Sequence, residues 1–194
     1  MPSISTEAKL GFSNPGGINS EHEREWKKEN LVKAQGVSVV KTLWVHKAVV
    51  TEFNALCIYL QANGARLGEN VDDWGFSNRD IRGYPGVKSY HAFGLAIDLD
   101  ATENPMGVRK SSFARTNRDK KETFRVCELL GLRWGLFYTG RPDAMHFEFI
   151  KSKRRARYIR SRLVKPTKRS RTLAKLCDMP VDEFCRRVKL HSNY

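Results

Sequence analysis

Ser89-Tyr-His-Ala-Phe-Gly-Leu-Ala-Ile-Asp-Leu-Asp100 is the stretch on which the fold turns. Leu95, Ile97 and Leu99 alternate with Ala96, Asp98 and Asp100. That period of two predicts a strand with one apolar face and one face ending in two carboxylates. Asn104-Pro105-Met106-Gly107 follows with turn chemistry. A second alternating stretch, Met145-His-Phe-Glu-Phe149, puts Met145, Phe147 and Phe149 on one side and His146 and Glu148 on the other. Asn78 to Gly83 reads as a further short strand, and Leu132 to Phe137 as another around Gly135.

Around these strands the apolar spacing changes to three and four. Val45, Val49, Phe53, Leu56, Cys57 and Leu60 predict an amphipathic helix over 42–63, stopped by Gly64. Phe124, Val126, Cys127 and Leu130 form the apolar side of a second helix over 118–130, stopped by Gly131. From Thr172 onward, Leu173, Leu176, Val181, Phe184 and Val188 again follow a helical spacing. The order predicts an α+β domain, a small and mostly antiparallel sheet with flanking helices, extended by a basic helical C-terminal segment. The expected organisation is an N-terminal extension over 1–37, the domain itself over 38–150, and the basic segment over 151–194.

A chain of 194 residues, 40% apolar, can bury one good core. No run approaches the roughly 18 apolar residues of a membrane span. Met1 to Gly17 lacks the basic-then-apolar order of a secretory signal. Cys57, Cys127, Cys177 and Cys185 contain no Cys-x-x-Cys pair, which disfavours a zinc knuckle. Cys57 and Cys127 sit in apolar helical patterns and read as buried thiols, and Cys177 and Cys185 read as free thiols of a small helical unit. The net charge of +14 is uneven, because residues 151–171 hold eleven Lys or Arg and no acid. Such a segment seeks a polyanion: nucleic acid, an acidic membrane face or an anionic wall polymer.

The chemistry lies in the polar residues beside the two alternating stretches. His91 leads into the first, Asp98 lies on it, and His146 lies on the second. Two imidazoles and one carboxylate form a common catalytic zinc set, with a fourth position left to water. A general base is still required, and Asp143, three residues before His146, lies close enough in sequence to serve. His46, read as part of the first helix, and His22 and His191, in polar stretches near the ends, receive no metal role.

Ser89-x-His91-x-x-Gly94-x-Ala96-x-Asp98, followed by Asp143-x-x-His146, resembles the D-Ala-D-Ala carboxypeptidase family of zinc peptidases. That family includes the vancomycin-resistance D,D-peptidases and phage L-alanyl-D-glutamate endolysins, and shares its fold with the hedgehog signalling domain. The resemblance runs from about His46 to Ile150 and extends to Asn104-Pro105-Met106-Gly107 and Gly131-Leu-Arg-Trp-Gly135. It implies one Zn2+ ion held by His91, Asp98 and His146, with Asp143 as the base that activates water and returns a proton to the leaving amine. Asp in that place, where many members carry Glu, is the variant of the endolysin-like branch. The resemblance further implies that Ser89 lines the substrate groove and that an arginine upstream steadies the developing oxyanion. Arg79 is preferred by its place in an Arg-x-x-x-Gly pattern, with Arg82 as the other candidate and a possible substrate contact.

The function expected is a monomeric phage endolysin or virion-associated lysin that cuts peptidoglycan stem peptides. It would be made in the host cytoplasm without a signal peptide and act on the cell wall. Residues 151–171 would hold it on anionic wall polymer or the outer-membrane surface. The alternatives are a D-Ala-D-Ala carboxypeptidase or dipeptidase, and a non-catalytic zinc-containing wall-binding module. A nucleic-acid role for the tail is the weaker reading, since Tyr158 is the only aromatic residue within the basic run.

Overall fold

The computed structural model describes residues 11–34, 43–67 and 72–189. In chain order these form helix α1 (Glu21–Asn30), strands β1 (Leu31–Lys33) and β2 (Trp44–His46), and helix α2 (Val50–Ala62). Strands β3 (Asp80–Ile81), β4 (Tyr84–Lys88) and β5 (Ala96–Asp98) follow, then helix α3 (Asn117–Leu130) and strands β6 (Leu132–Trp134) and β7 (His146–Phe149). Helices α4 (Lys153–Leu163), α5 (Lys168–Leu176) and α6 (Val181–Lys189) complete the described chain. Among the described residues every ladder is antiparallel: a three-stranded sheet ordered β5-β7-β6, and the separate pairs β1-β2 and β3-β4. The fold is thus α+β, with small antiparallel sheets and six α-helices among the described residues.

Helix α2 is the axis of the core. Every residue from Val50 to Leu60 is buried, because α3, α4, α5 and α6 all pack around it. Helix α3 is held at both ends by local chemistry. Thr116 and Asp119 form a reciprocal capping box, and Gly131 closes the helix in the left-handed conformation. Ile97, Phe147 and Phe149 from the sheet join the same apolar cluster as Ile159 and Leu163 of α4, Leu173 of α5 and Phe184 of α6. The N-terminal stretch contributes too. Phe12 packs edge-on against Phe149 with ring centroids 6.4 Å apart, and Trp26 stacks on Phe76 at 5.7 Å.

Several boundaries differ from the expected ones. The apolar spacing over 42–63 merges two elements. Trp44, Val45 and His46 pair with β1, and the helix begins only at Val50. The misleading residue is Val45, whose burial comes from a strand partner distant in sequence. His46 is therefore a strand residue. It is fully buried between Phe12 and Trp26, and burial, then Lys153 and Lys47, pushes its imidazole down to about 3. It packs as a neutral ring. The strand expected over Asn78–Gly83 shrinks to Asp80–Ile81, since Arg82 and Gly83 turn the chain into β4. The one over Leu132–Phe137 ends at Trp134 and continues as a 3-10 turn, Gly135–Phe137. Phe124 lies on the exposed side of α3 against Phe137, while Thr123, Val126, Cys127 and Leu130 form the buried side. Helical structure begins earlier than Thr172, and the basic run itself forms α4. All four cysteines are free and buried. No helix among the described residues is long and apolar enough to cross a membrane. His191 lies outside the described residues.

One residue of α2 breaks the apolar rule. Glu52 is fully buried, and neither carboxyl oxygen has a hydrogen-bond partner among the described residues. Burial pushes its carboxyl up to about 8, against weaker pulls downward that include Arg160 and Arg169. The folded chain therefore keeps a proton that the unfolded chain would release. The stability tied to that proton is complete below the ordinary value of 4.5 and is lost as pH rises through about 8. Glu52→Gln preserves the shape and removes the titration. In thermal melts it should match the wild type at about pH 5 and exceed it at about pH 9, by on the order of a few kcal/mol. A difference that does not grow with pH would refute the assignment.

Candidate metal centre

The register of one strand pair builds the site. Asp98, at the end of β5, lies directly opposite His146, at the start of β7, and Ala96 lies opposite Glu148. Between them Ile97 pairs with Phe147, which pairs in turn with Trp134 of β6 and stacks on its ring at 5.6 Å. Those residues face the core, so Asp98, His146 and Glu148 share the opposite face. His91 arrives from the 3-10 turn Tyr90–Phe93, which Ser89 caps by accepting the His91 N–H on Oγ. Gly94 ends that turn at φ +64°, against the backbone of β2. A Cβ there would meet the His46 nitrogen at 2.6 Å, and the His46 N–H donates to the Gly94 carbonyl at 2.8 Å. Only glycine allows both the conformation and the approach.

The three expected ligands converge. Nε2 of His91 lies 3.2 Å from Nδ1 of His146 and 3.2 Å from Asp98 Oδ2, and His146 Nδ1 lies 2.7 Å from Asp98 Oδ1. One ligand atom from each residue lies within 4.8 Å of the others. His91 is buried, whereas the side chains of Asp98 and His146 keep 14% and 12% of their surface, so the cluster opens to solvent on one side. The outward nitrogens are engaged as a metal centre requires. His91 Nδ1 donates to the Gly75 carbonyl at 2.7 Å, and His146 Nε2 faces Glu148 Oε2 at 3.4 Å. With an ion in place and the ring protons held outside, both inward nitrogens would present lone pairs to it beside a carboxylate, instead of the hydrogen bonds they share with Asp98 here. This donor set fits one divalent ion of the zinc type, with room for a further ligand from solvent.

The charges agree with this reading. Burial works against ionising Asp98, but hydrogen bonds from His146 and His91 hold its carboxyl far below the usual range. Burial also opposes protonation of His146, yet Asp98 and Glu148 raise it to about 10. The pocket therefore selects positive charge. Glu148 is itself buried and accepts from Tyr138 Oη at 2.6 Å and from the Arg133 guanidinium, the residue opposite it on β6. Burial opposes its charge, but His146, Tyr138 and Arg133 bring it down to about 2.

Asp143 stands in the loop before β7. Its N–H donates to the Gly135 carbonyl at 2.9 Å, and its carbonyl accepts from the His146 N–H at 3.2 Å. A Cβ on Gly135 would lie 2.4 Å from the Asp143 carbonyl oxygen, so the loop reaches this position only over a glycine. The carboxyl is buried, and Oδ1 has no hydrogen-bond partner among the described residues. Burial pushes it up, His146 and His91 pull it down, and Asp98 adds to the rise.

The other candidates are placed differently. Arg79 and Arg82 flank the short strand β3 and lie outside it. Both are exposed, and neither side chain forms a hydrogen bond or ion pair among the described residues. Arg79 sits at the base of the β3–β4 hairpin, where its carbonyl accepts from the Ser89 N–H at 3.0 Å, while Arg82 lies in the hairpin's turn. Ser89 is buried and its Oγ is used by the His91 turn. Gly75, Glu148, Arg133 and Tyr138 went unassigned from sequence. For Glu148 there was a signal, its place two residues after His146 on the same face. Trp74 was also missed. It is 48% exposed and bridges Asp98 through reciprocal backbone hydrogen bonds of 2.8 Å.

A His-Asp-His cluster open to solvent, with a buried carboxyl on the adjoining loop, defines a site of the hydrolytic metalloenzyme class. Residues 82–149, about a third of the chain, match the family model described as D-alanyl-D-alanine carboxypeptidase. The match supports a peptidase acting on peptidoglycan. It takes in Ser89, His91, Asp98, Asp143 and His146, and leaves Arg79 outside. No curated protein and no solved structure matches the chain.

The partners of Glu148 make it testable as the residue that orients His146. Glu148→Gln removes the charge but keeps the shape. In competition with a chromophoric chelator it should bind zinc at least about 10-fold more weakly, with the far-ultraviolet circular dichroism unchanged. Wild-type affinity in that variant would show that the contact does not matter to the metal.

Proposed function

We propose that the protein is a zinc-dependent peptidase that hydrolyses the stem peptides of peptidoglycan. We further propose that it is an endolysin or virion-associated lysin of the L-alanyl-D-glutamate endopeptidase type, acting at the cell wall. The observation that carries the catalytic reading is Asp143. Its carboxyl is buried beside the ligand cluster, its raised affinity for protons comes from burial, and one oxygen is left without a partner. A pure binding module has no need of such a group. The short side chain, in place of Glu, is the feature shared with the endolysin-like branch.

His91, Asp98 and His146 would hold the ion, which supplies polarisation of the scissile carbonyl and a more acidic bound water. Asp143 takes the proton of the attacking water and returns it to the leaving amine. Gly135 keeps that carboxyl in place by letting the two loops touch. Arg79, tied by its backbone to the His91 turn, is the better placed of the two arginines to meet the developing oxyanion. The exposed ring of Trp74 offers an apolar wall next to Asp98.

A second reading is favoured by the description of the matching family. A D-Ala-D-Ala carboxypeptidase or dipeptidase would use the same centre with a cation to hold the substrate's terminal carboxylate, and Arg82 is then the candidate. Digestion of purified peptidoglycan followed by mass spectrometry separates these readings by the bond that is cut. Fragments ending at L-alanine are expected, and loss of single D-alanine residues would replace the first reading by the second.

Product formation should vanish with chelator and return with zinc. Asp143→Ala should keep its zinc and lose about 100-fold or more in turnover. Gly135→Ala should also keep its zinc, with a smaller loss. If Asp143→Ala digests wall at the wild-type rate, Asp143 is not the base.

A further inference from the structure

The basic segment is a folded surface with one recess in it. Arg155, Tyr158 and Arg162 lie three and four residues apart on α4, so they share a face. That face adjoins the stripe of Ala156, Ile159 and Leu163, which are buried in the core. The three cations nearest to the Tyr158 ring are Arg155 at 4.6 Å, Arg162 at 5.3 Å and Arg169, from α5, at 5.9 Å. Beside them opens a cleft of about 370 Å³, floored by Leu129 and bounded by Arg125, Tyr158, Arg162, Lys168 and Arg169. No acidic residue lines it. None of Arg155, Arg162 and Arg169 forms an ion pair among the described residues. Nη1 of Arg169 is buried and has no hydrogen-bond partner. Burial, then Arg155 and more weakly Arg162, pulls the Arg169 guanidinium below its usual range, against smaller upward pulls from Tyr158 and Glu52. The carboxyl that acts on it is Glu52, which burial pushes up to about 8.

The α5 helix starts at this cleft. Thr167 caps it, and the N–H groups of its first positions have no carbonyl partner inside the helix. Planar guanidinium forks, an ammonium and a helix start around one recess are the groups that hold a phosphate. We propose that this cleft is a binding site for a phosphate group, and that it holds the enzyme on the phosphodiester-bearing polymer of the wall it cuts. The choice of wall polymer rests on the peptidase reading above. The choice against a lipid surface rests on the fold. A helix lying on a membrane needs an exposed apolar face, and the apolar faces of α4, α5 and α6 are all used in the core, leaving Tyr158 as the large exposed apolar residue among these helices.

The test uses the full chain with its zinc, sedimented with bacterial wall at low temperature. Arg162→Gln with Arg169→Gln removes two charges from the cleft. Arg154→Gln with Arg157→Gln removes two charges from exposed positions outside it. Wall that keeps its phosphodiester polymer should bind the cleft variant about 10-fold more weakly than the charge-matched control. Wall stripped of that polymer with hydrofluoric acid should bind both alike. Inorganic phosphate, against chloride at equal ionic strength, should raise the melting temperature of the control and not of the cleft variant. Equal losses in the two variants would overturn the proposal, leaving only diffuse attraction of charge. Tighter cleft-dependent binding to phosphatidylglycerol vesicles than to wall would overturn the choice of partner. Cleavage of a soluble stem peptide should be the same in all forms. Its absence from every form would count against the peptidase reading and leave the phosphate test standing.

Discussion

The pairing of Asp98 with His146 across β5 and β7 is the constraint on which the rest of the structure depends. A strand alternates its side chains, so a slip of one residue would exchange the two faces of the sheet. Ile97, Phe147 and Phe149 would then leave the core, at a cost of roughly 1.5–3 kcal/mol each, and Asp98 and His146 would enter it. The register is therefore held by apolar burial, and the ligand cluster is a consequence of that register. This explains how two carboxylates and one imidazole can sit together on a short sheet, with His91 reaching them from the turn before β5: their repulsions and desolvation are borne by a core that has its own reason to form.

The same register arranges the layer behind the ligands. Arg133 faces Glu148 because β6 pairs with the other edge of β7. Glu148 in turn faces His146, its neighbour two residues back on one face. A buried carboxylate is costly unless several donors reach it. Here the Arg133 guanidinium, Tyr138 Oη and His146 all do, which keeps it charged and able to turn the imidazole. On the other side a backbone carbonyl, that of Gly75, does the same for His91. The two histidines are oriented by unlike means, one by charge and one by backbone.

Much of this was legible in the chain. The two alternating stretches announced β5 and β7, and the spacing of His91, Asp98 and His146 announced a cluster that the fold does bring together. What stayed hidden depends on distant partners. Val45 looks helical until β1 is placed beside it, and Phe124 looks buried until α3 is turned by its contacts with α2 and β6. The Gly75 carbonyl leaves no trace in any side-chain pattern. Arg79 and Arg82 were judged as strand residues, a judgement that needed a strand longer than the two residues of β3. The basic run read as charge alone, because nothing in a list of lysines and arginines tells which of them meet around Tyr158.

That meeting calls for a cause other than stability. Cation–π contacts at exposed sites contribute about 0.5–1 kcal/mol each, and like charges drawn to one ring oppose them. The stability of α4, α5 and α6 comes from their other faces, where Ile159, Leu163, Leu173, Phe184 and Val188 are fully or almost fully buried against α2 and its neighbours. Those faces would form equally well with neutral or acidic residues outside. Under α4 and α5 the core even holds Glu52 with no hydrogen-bond partner among the described residues and its carboxyl pushed up to about 8, although a charged carboxylate would have relieved Arg169. Arg155, Arg162 and Arg169 are thus concentrated by a scaffold that does not need them, and none of the three forms an ion pair among the described residues. Such an arrangement becomes favourable when an anion enters from outside.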